Sequence, residues 1–224
     1  MLCEKIAKSP LAFHPGTFFR YSLGLDVVGR VIEIISGQPL DIFLSENIFK
    51  PLNMSDTGFS VPVEKQYRLS KIYRKDGQGY AQFDYISEQS NPDRIANPVF
   101  MSGGGGLYST MSDYIKFARL LLKNGLGDNG QQIISSESLN IMRSNHLPME
   151  VSKMSHSSKV FSEMYGAGLG FGLGVYVLTN PKAAPGGELS GHGEYGWGGL
   201  ASTYFFVDPE MKMSTIVMTS LIPR

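Results

Sequence analysis

The chain has 224 residues, 42% hydrophobic and 18% charged, enough apolar material to bury a sizeable core as one large unit or two small ones. Twenty basic residues balance twenty acidic ones, so no net field draws it toward nucleic acid or a membrane surface. The single cysteine, Cys3, excludes an internal disulfide and a cysteine-rich metal site.

The first ten residues, M-L-C-E-K-I-A-K-S-P, scatter charges among apolar residues and do not form the apolar core of a secretory signal. No apolar run approaches the length needed to cross a bilayer, so the default expectation is a soluble, cytoplasmic protein. That default holds unless a lost upstream segment carried a targeting signal. Phe13 to Gly24 reads F-H-P-G-T-F-F-R-Y-S-L-G and sets Tyr21 between a Pro-Gly turn and an apolar helix. Taken alone, such a tyrosine is a packed rim residue.

Residues 22 to 49 predict two helices. Leu25, Val28, Val31, Ile32 and Ile35 recur at helical spacing, and Gly37 supplies a left-handed stop. Pro39 opens the second helix, through Leu40, Phe43, Leu44 and Ile48, and Pro51 ends it. Residues 51 to 58 form a turn-rich link. Residues 61 to 100 have no sustained period and predict loops with short strands. Four glycines, Gly103 to Gly106, precede a helix capped by Thr110 and Asp113 and closed by Asn124-Gly125. A short helix starts near Ser135. Beyond about residue 165 come three apolar segments, Gly170 to Leu178, Tyr195 to Val207 and Met211 to Ser220, with turns at Asn180-Pro181 and Asp208-Pro209. The last two segments predict an antiparallel hairpin. The fold class is therefore α+β, a helical lobe packed on an antiparallel sheet. One unit covers residues 1–224, mainly helix and loop over 1–165 and a β-meander over 166–224.

An ordered set of motifs resembles the serine β-lactamase-like superfamily, in particular class C β-lactamases and β-lactamase-like esterases. The set comprises F-x-P-G-T-x-x-x-Y-S at Phe13 to Ser22, the helix from Leu23 to Gly37, and P-L-N-M-S-D-T-G-F at 51 to 59. G-G-G-G-L-Y-S-T-M-S-D-Y at 103 to 114 and Y-G-W-G-G-L-A-S-T-Y-F-F-V-D-P at 195 to 209 complete it. Each piece is weak alone; in this order they are specific.

The resemblance implies a β-lactamase/transpeptidase-like fold and acyl transfer by an S-x-x-K serine, a Y-x-N tyrosine and a K-T-G-like strand. A serine hydroxyl attacks only when a neighbouring base takes its proton. A tyrosine titrates near ~10, so it serves as that base only where cations favour the phenolate. The strand offers a backbone N–H to the oxyanion. Carried over, Tyr21 is the candidate base or proton relay. Trp197, Gly198 and Gly199 stand in the K-T-G place, and the Leu200 N–H is the oxyanion donor. Leu23 replaces the usual Asn, and Trp197 removes the lysine that would meet a β-lactam carboxylate. Both departures favour small ester or amide substrates over efficient lactamase action.

The nucleophile is the gap, because no serine in the sequence is followed three residues later by lysine. Ser112 and Ser155 have Lys116 and Lys159 one place too far, and no G-x-S-x-G elbow occurs. The expectation is therefore a truncated relative lacking its S-x-x-K helix and early strands, inactive alone, and prone to self-association or in need of a complementary chain. The rival is a non-catalytic ligand- or partner-binding protein derived from the same fold. No cofactor is implied. His14, His146, His156 and His192 form no metal-ligand pattern. Asp56 and Asp113, in S-D-T and S-D-Y, are read as turn or cap residues. The Lys65–Lys75 basic cluster with Tyr67 and Tyr73 is read as a solvated loop or hairpin, and the zero net charge argues against nucleic-acid binding.

Overall fold

Local punctuation sets the helix ends in this computed structural model, which describes residues 2–83, 91–149, 167–184 and 186–222. Helix α1 is Leu2–Ala7 and α2 is Gly24–Ser36, the latter ended by Gly37 at φ 71°. Pro39 precedes α3, Leu40–Leu44, which continues into a π-helical turn over Ser45–Phe49. In the stretch without a sequence period, a 3₁₀ turn at Val63–Arg68 leads into a hairpin of β1, Tyr73–Asp76, and β2, Gly79–Gln82. This places the Lys65–Lys75 cluster on exposed turn and hairpin, as read. The short α4, Pro92–Ala96, is capped by the Asn91 side chain.

Helix α5, Met111–Leu122, begins where Thr110 accepts a hydrogen bond from the Asp113 N–H, and Asn124 and Gly125 close it with φ of 54° and 85°. Helix α6, Ser136–Met142, is capped in the same way by Ser135. The three apolar segments of the last third give five strands. These are β3 Leu169–Phe171, β4 Tyr176–Leu178, β5 Tyr195–Gly198, β6 Thr203–Asp208 and β7 Met213–Met218, in that antiparallel order. Two segments split because each hides a turn inside its glycine-rich apolar run. Gly174 (φ 84°) breaks the first, and Gly199-Leu200-Ala201-Ser202, with Ser202 at φ 60°, breaks the second. A further strand, β8 Leu221–Ile222, leaves the meander and pairs in parallel with β1.

The sheet is covered on both faces by period-two alternation. Val177, Tyr195, Phe205 and Val207 face Leu121 of α5 and Leu139 of α6, forming the main core. Tyr176 and Leu178 pack on the other side with Leu169 and Ala184, and Tyr204 and Phe206 join them. A third cluster, Phe49, Leu52, Met54 and Leu120, ties α3 and its π-turn to α5. The fold is α+β, a helical lobe on an antiparallel sheet. Among the described residues no helix is long and apolar enough to cross a membrane.

Two buried carboxylates join remote segments. Asp113 is 3% exposed and accepts from the Asp56 N–H (2.7 Å), the Thr57 hydroxyl (3.1 Å) and Lys116 Nζ (3.0 Å). It thus fastens the 51–58 link to α5, a larger role than the cap read from sequence. Asp208 is buried at the β6–β7 turn and accepts from the N–H groups of Gly191 and Met211.

Candidate active site around Tyr21 and Trp197

Tyr21 lies on the extended segment just before α2, and α2 is fixed by the tetraglycine loop. Asp26, in the first turn of α2, is buried and accepts from Ser102 Oγ (2.6 Å) and the Gly104 N–H (3.4 Å). A carboxylate at a helix N-terminus is also favoured by the helix dipole. The approach requires glycine: a Cβ on Gly103 would run into the Leu25 carbonyl oxygen, and one on Gly104 would lie 2.9 Å from Asp26 Oδ2. The four-glycine run therefore acts as a seat for the helix that follows Tyr21.

Trp197 comes from the other side of the molecule, on β5, where it pairs with Phe205 of β6 and packs against the main core. The Tyr21 and Trp197 rings meet with centroids 5.4 Å apart and planes tilted by 31°. Phe171 of β3 stands edge-on to Trp197 at 5.4 Å and touches Phe19 at 4.7 Å. Four aromatic rings thus form one continuous wall, Phe19–Phe171–Trp197–Tyr21. Offset and edge-on pairs of this kind each contribute about 0.5–1.5 kcal/mol beyond area burial.

Past Trp197 the strand ends at Gly198. The Gly199 N–H donates to the Thr203 carbonyl (2.7 Å), closing the turn that carries Leu200. A Cβ on Gly199 would collide with the Thr203 hydroxyl, so this turn also demands glycine. Leu200 is exposed, and its N–H donates to no backbone acceptor among the described residues. Leu23, at the position before α2, is exposed as well.

The remaining candidates lie elsewhere. Ser112 bonds to Thr110, while Lys116 turns to Asp113 and the Asn53 carbonyl, so this serine and lysine do not pair. His14 and His192 are exposed turn residues, and the His146 ring meets the Ile141 carbonyl at 2.7 Å. Asp56 is clasped by Lys65 (2.6 Å) and Arg68 (2.8 Å), whose hydrogen bonds hold its carboxyl below the usual range. Ser155, His156 and Lys159 lie outside the described residues. Among the described residues no group of three or more His, Cys, Asp or Glu side chains gathers in a way that could hold a metal ion. A cavity of about 630 Å³ opens in the helical lobe beside Asp56, Phe59, Lys65 and Tyr108 and does not reach Tyr21 or Trp197.

Sequence reasoning missed Asp26, Ser102, Phe19 and Phe171. An aspartate in the first turn of a helix and a glycine run needing close approach were available signals for the first pair. Nothing local marks the two phenylalanines.

The sequence model of the family described as Beta-lactamase matches residues 1–223, nearly the whole chain. The chain belongs to the beta-lactamase family. Within that family it is 33% identical over 219 residues to Protein Rv1367c of Mycobacterium tuberculosis, covering 97% of this chain and 52% of that protein. It is 27% identical over 235 residues to Esterase EstB of Burkholderia gladioli, covering 97% and 53%. Unliganded simvastatin synthase (LovD) from Aspergillus terreus superposes with a TM-score of 0.79 at 21% identity, over 99% of this chain and 56% of that one. The last likeness shows the fold alone. The chain spans about half the length of the curated relatives it matches. The Beta-lactamase family match and the esterase relative agree with the resemblance that the ordered motifs carry.

Proposed function

We propose that this beta-lactamase-family chain supplies the general base and oxyanion strand of a serine hydrolase that cleaves small esters or amides through an acyl-enzyme. What supports the reading is the contact between Tyr21 and Trp197, residues drawn from the two motifs most diagnostic of that chemistry. In the proposed reaction Tyr21 takes the proton of a serine hydroxyl, whose oxygen bonds the acyl carbon. The Leu200 N–H steadies the oxyanion, and collapse breaks the bond to the leaving oxygen or nitrogen, which takes the proton from Tyr21 and departs as alcohol or amine. Water then repeats the attack and releases the acid. Trp197 in place of a lysine presents an apolar face to the substrate and leaves a β-lactam carboxylate without its cation.

The sequence contains no S-x-x-K, so in this reading the nucleophile is supplied by a separate segment that carries one. The chain by itself is therefore inert toward fluorophosphonate probes, nitrocefin and short p-nitrophenyl esters. Joined to a segment bearing an S-x-x-K helix, it hydrolyses p-nitrophenyl acetate well and nitrocefin poorly. Stoichiometric fluorophosphonate labelling of a serine in the chain alone would overturn the reading. The missing S-x-x-K also favours a second reading, a non-catalytic binder using the same aromatic wall. That reading gains if the joined protein binds esters and turns none over.

A further inference from the structure

Strand β3 is the edge of the five-stranded sheet, yet its last residue is held from both sides. The Phe171 N–H donates to Asn145 Oδ1 (3.0 Å), and its carbonyl accepts from the His146 N–H (2.9 Å). Asn145 is itself fixed, because Oδ1 also accepts from the Leu147 N–H and Nδ2 donates to the Leu147 carbonyl, both at 3.1 Å. The glycines on either side of Phe171 make the approach possible. A Cβ on Gly170 would strike the Asn145 side chain, and one on Gly172 the Met142 carbonyl. The loop after α6 thus clasps β3 at the one residue whose ring joins Phe19 to Trp197.

We propose that Phe171 is a positioning residue of the acyl site, holding the Trp197 indole against Tyr21, with Asn145 fixing Phe171 in turn. This rests on the acyl-site reading given above. The edge-on ring limits how far the indole can swing toward solvent, so the apolar wall is presented ready-made to the substrate.

Trp197 is the only tryptophan of the chain, so tryptophan emission reports the surroundings of this indole alone. Acrylamide quenching of Trp197 rises about twofold or more in Phe171→Ala and in Asn145→Ala, whereas Phe171→Tyr, which keeps a ring, quenches like the parent. Should the alanine variant not fold, Phe171→Leu keeps the apolar volume without the ring and is read in its place. Unchanged quenching in a variant with native far-UV circular dichroism overturns the proposal. Titration with ethyl hexanoate of the protein joined to a tryptophan-free S-x-x-K segment whose serine is changed to alanine, followed by the same emission, separates it from the acyl-site reading. The half-maximal ester concentration rises about fivefold in Phe171→Ala. A parent whose emission ignores the ester overturns the acyl site and with it the role of Phe171 there. A parent and a Phe171→Ala variant that respond at the same ester concentration overturn the role of Phe171 alone.

Discussion

Gly103 shows how a single missing methyl decides the geometry of the site. Its Cα lies so close to α2 that a Cβ would overlap the Leu25 carbonyl, whereas Gly105, two residues on, has open space in the same direction. Gly103→Ala should therefore destabilise the chain by about 1–3 kcal/mol in urea unfolding, the usual range for overpacking against backbone. Gly105→Ala should change it by less than about 0.5 kcal/mol. Equal effects at the two positions would refute the seating role of the loop. Tyr195 offers a pH readout at the same scale. It is fully buried, burial pushes its phenol up to about 12, and its hydroxyl donates to the Leu121 carbonyl at 3.2 Å. A phenol whose folded value is raised adds stability that is complete below its unfolded value near ~10 and is lost as pH climbs through the folded value. Stability should fall between pH ~10 and ~12, and Tyr195→Phe should lessen that fall, the raised Tyr114 phenol keeping part of it, while costing about 1 kcal/mol at neutral pH for the lost hydrogen bond.

At the scale of elements, α5 depends on its first turn twice over. Thr110 caps it, and Asp113 reaches from it to Asp56 and Thr57 in the link. Asp113→Ala leaves the part-buried Asp56 N–H without its acceptor and Lys116 without its carboxylate, and should cost about 2–3 kcal/mol, against about 1 kcal/mol for Thr110→Ala, measured by thermal or urea unfolding. Near-equal losses would mean that Asp113 serves only the cap. The ends of α2, α5 and α6 were legible in the sequence because Gly37, Thr110, Asn124-Gly125 and Ser135 act through local backbone chemistry. The β6–β7 hairpin was legible as well, through its Asp208-Pro209 turn, but the splits of β3 from β4 and of β5 from β6 were not, since the turns at Gly174 and Ser202 sit inside apolar glycine-rich runs. In the candidate site, Tyr21 and Trp197 were named from their motifs, and the structure brings their rings together. Phe171 and Asn145 were not, because their roles exist only once β3, the loop after α6 and β5 are brought together.

For the whole molecule, the surface left after folding is the decisive quantity. Val28, Val31 and Ile35, among the residues that marked α2 as a helix, are between 45% and 80% exposed, and Ile34 beside them is 66% exposed. Helix α2 instead buries Asp26 and Gly29 against the glycine loop and α3. Strand β7 pairs on one side only among the described residues, with Met213 and Val217 exposed along it. An unpaired strand edge offers its backbone N–H and C=O groups to another chain, and an unpartnered apolar helix face costs roughly 25 cal/mol per Å² of apolar area left uncovered, so each invites a partner. The chain on its own should therefore associate with itself in a concentration-dependent way, as seen by sedimentation velocity. Val217→Lys, which sets a charge on the exposed edge strand, should move the distribution toward smaller species if β7 is the pairing edge. Val31→Lys with Ile35→Lys should do so if the α2 face dominates. A parent that sediments as one monomeric species at every concentration, with the variants indistinguishable from it, would show that neither surface recruits a partner.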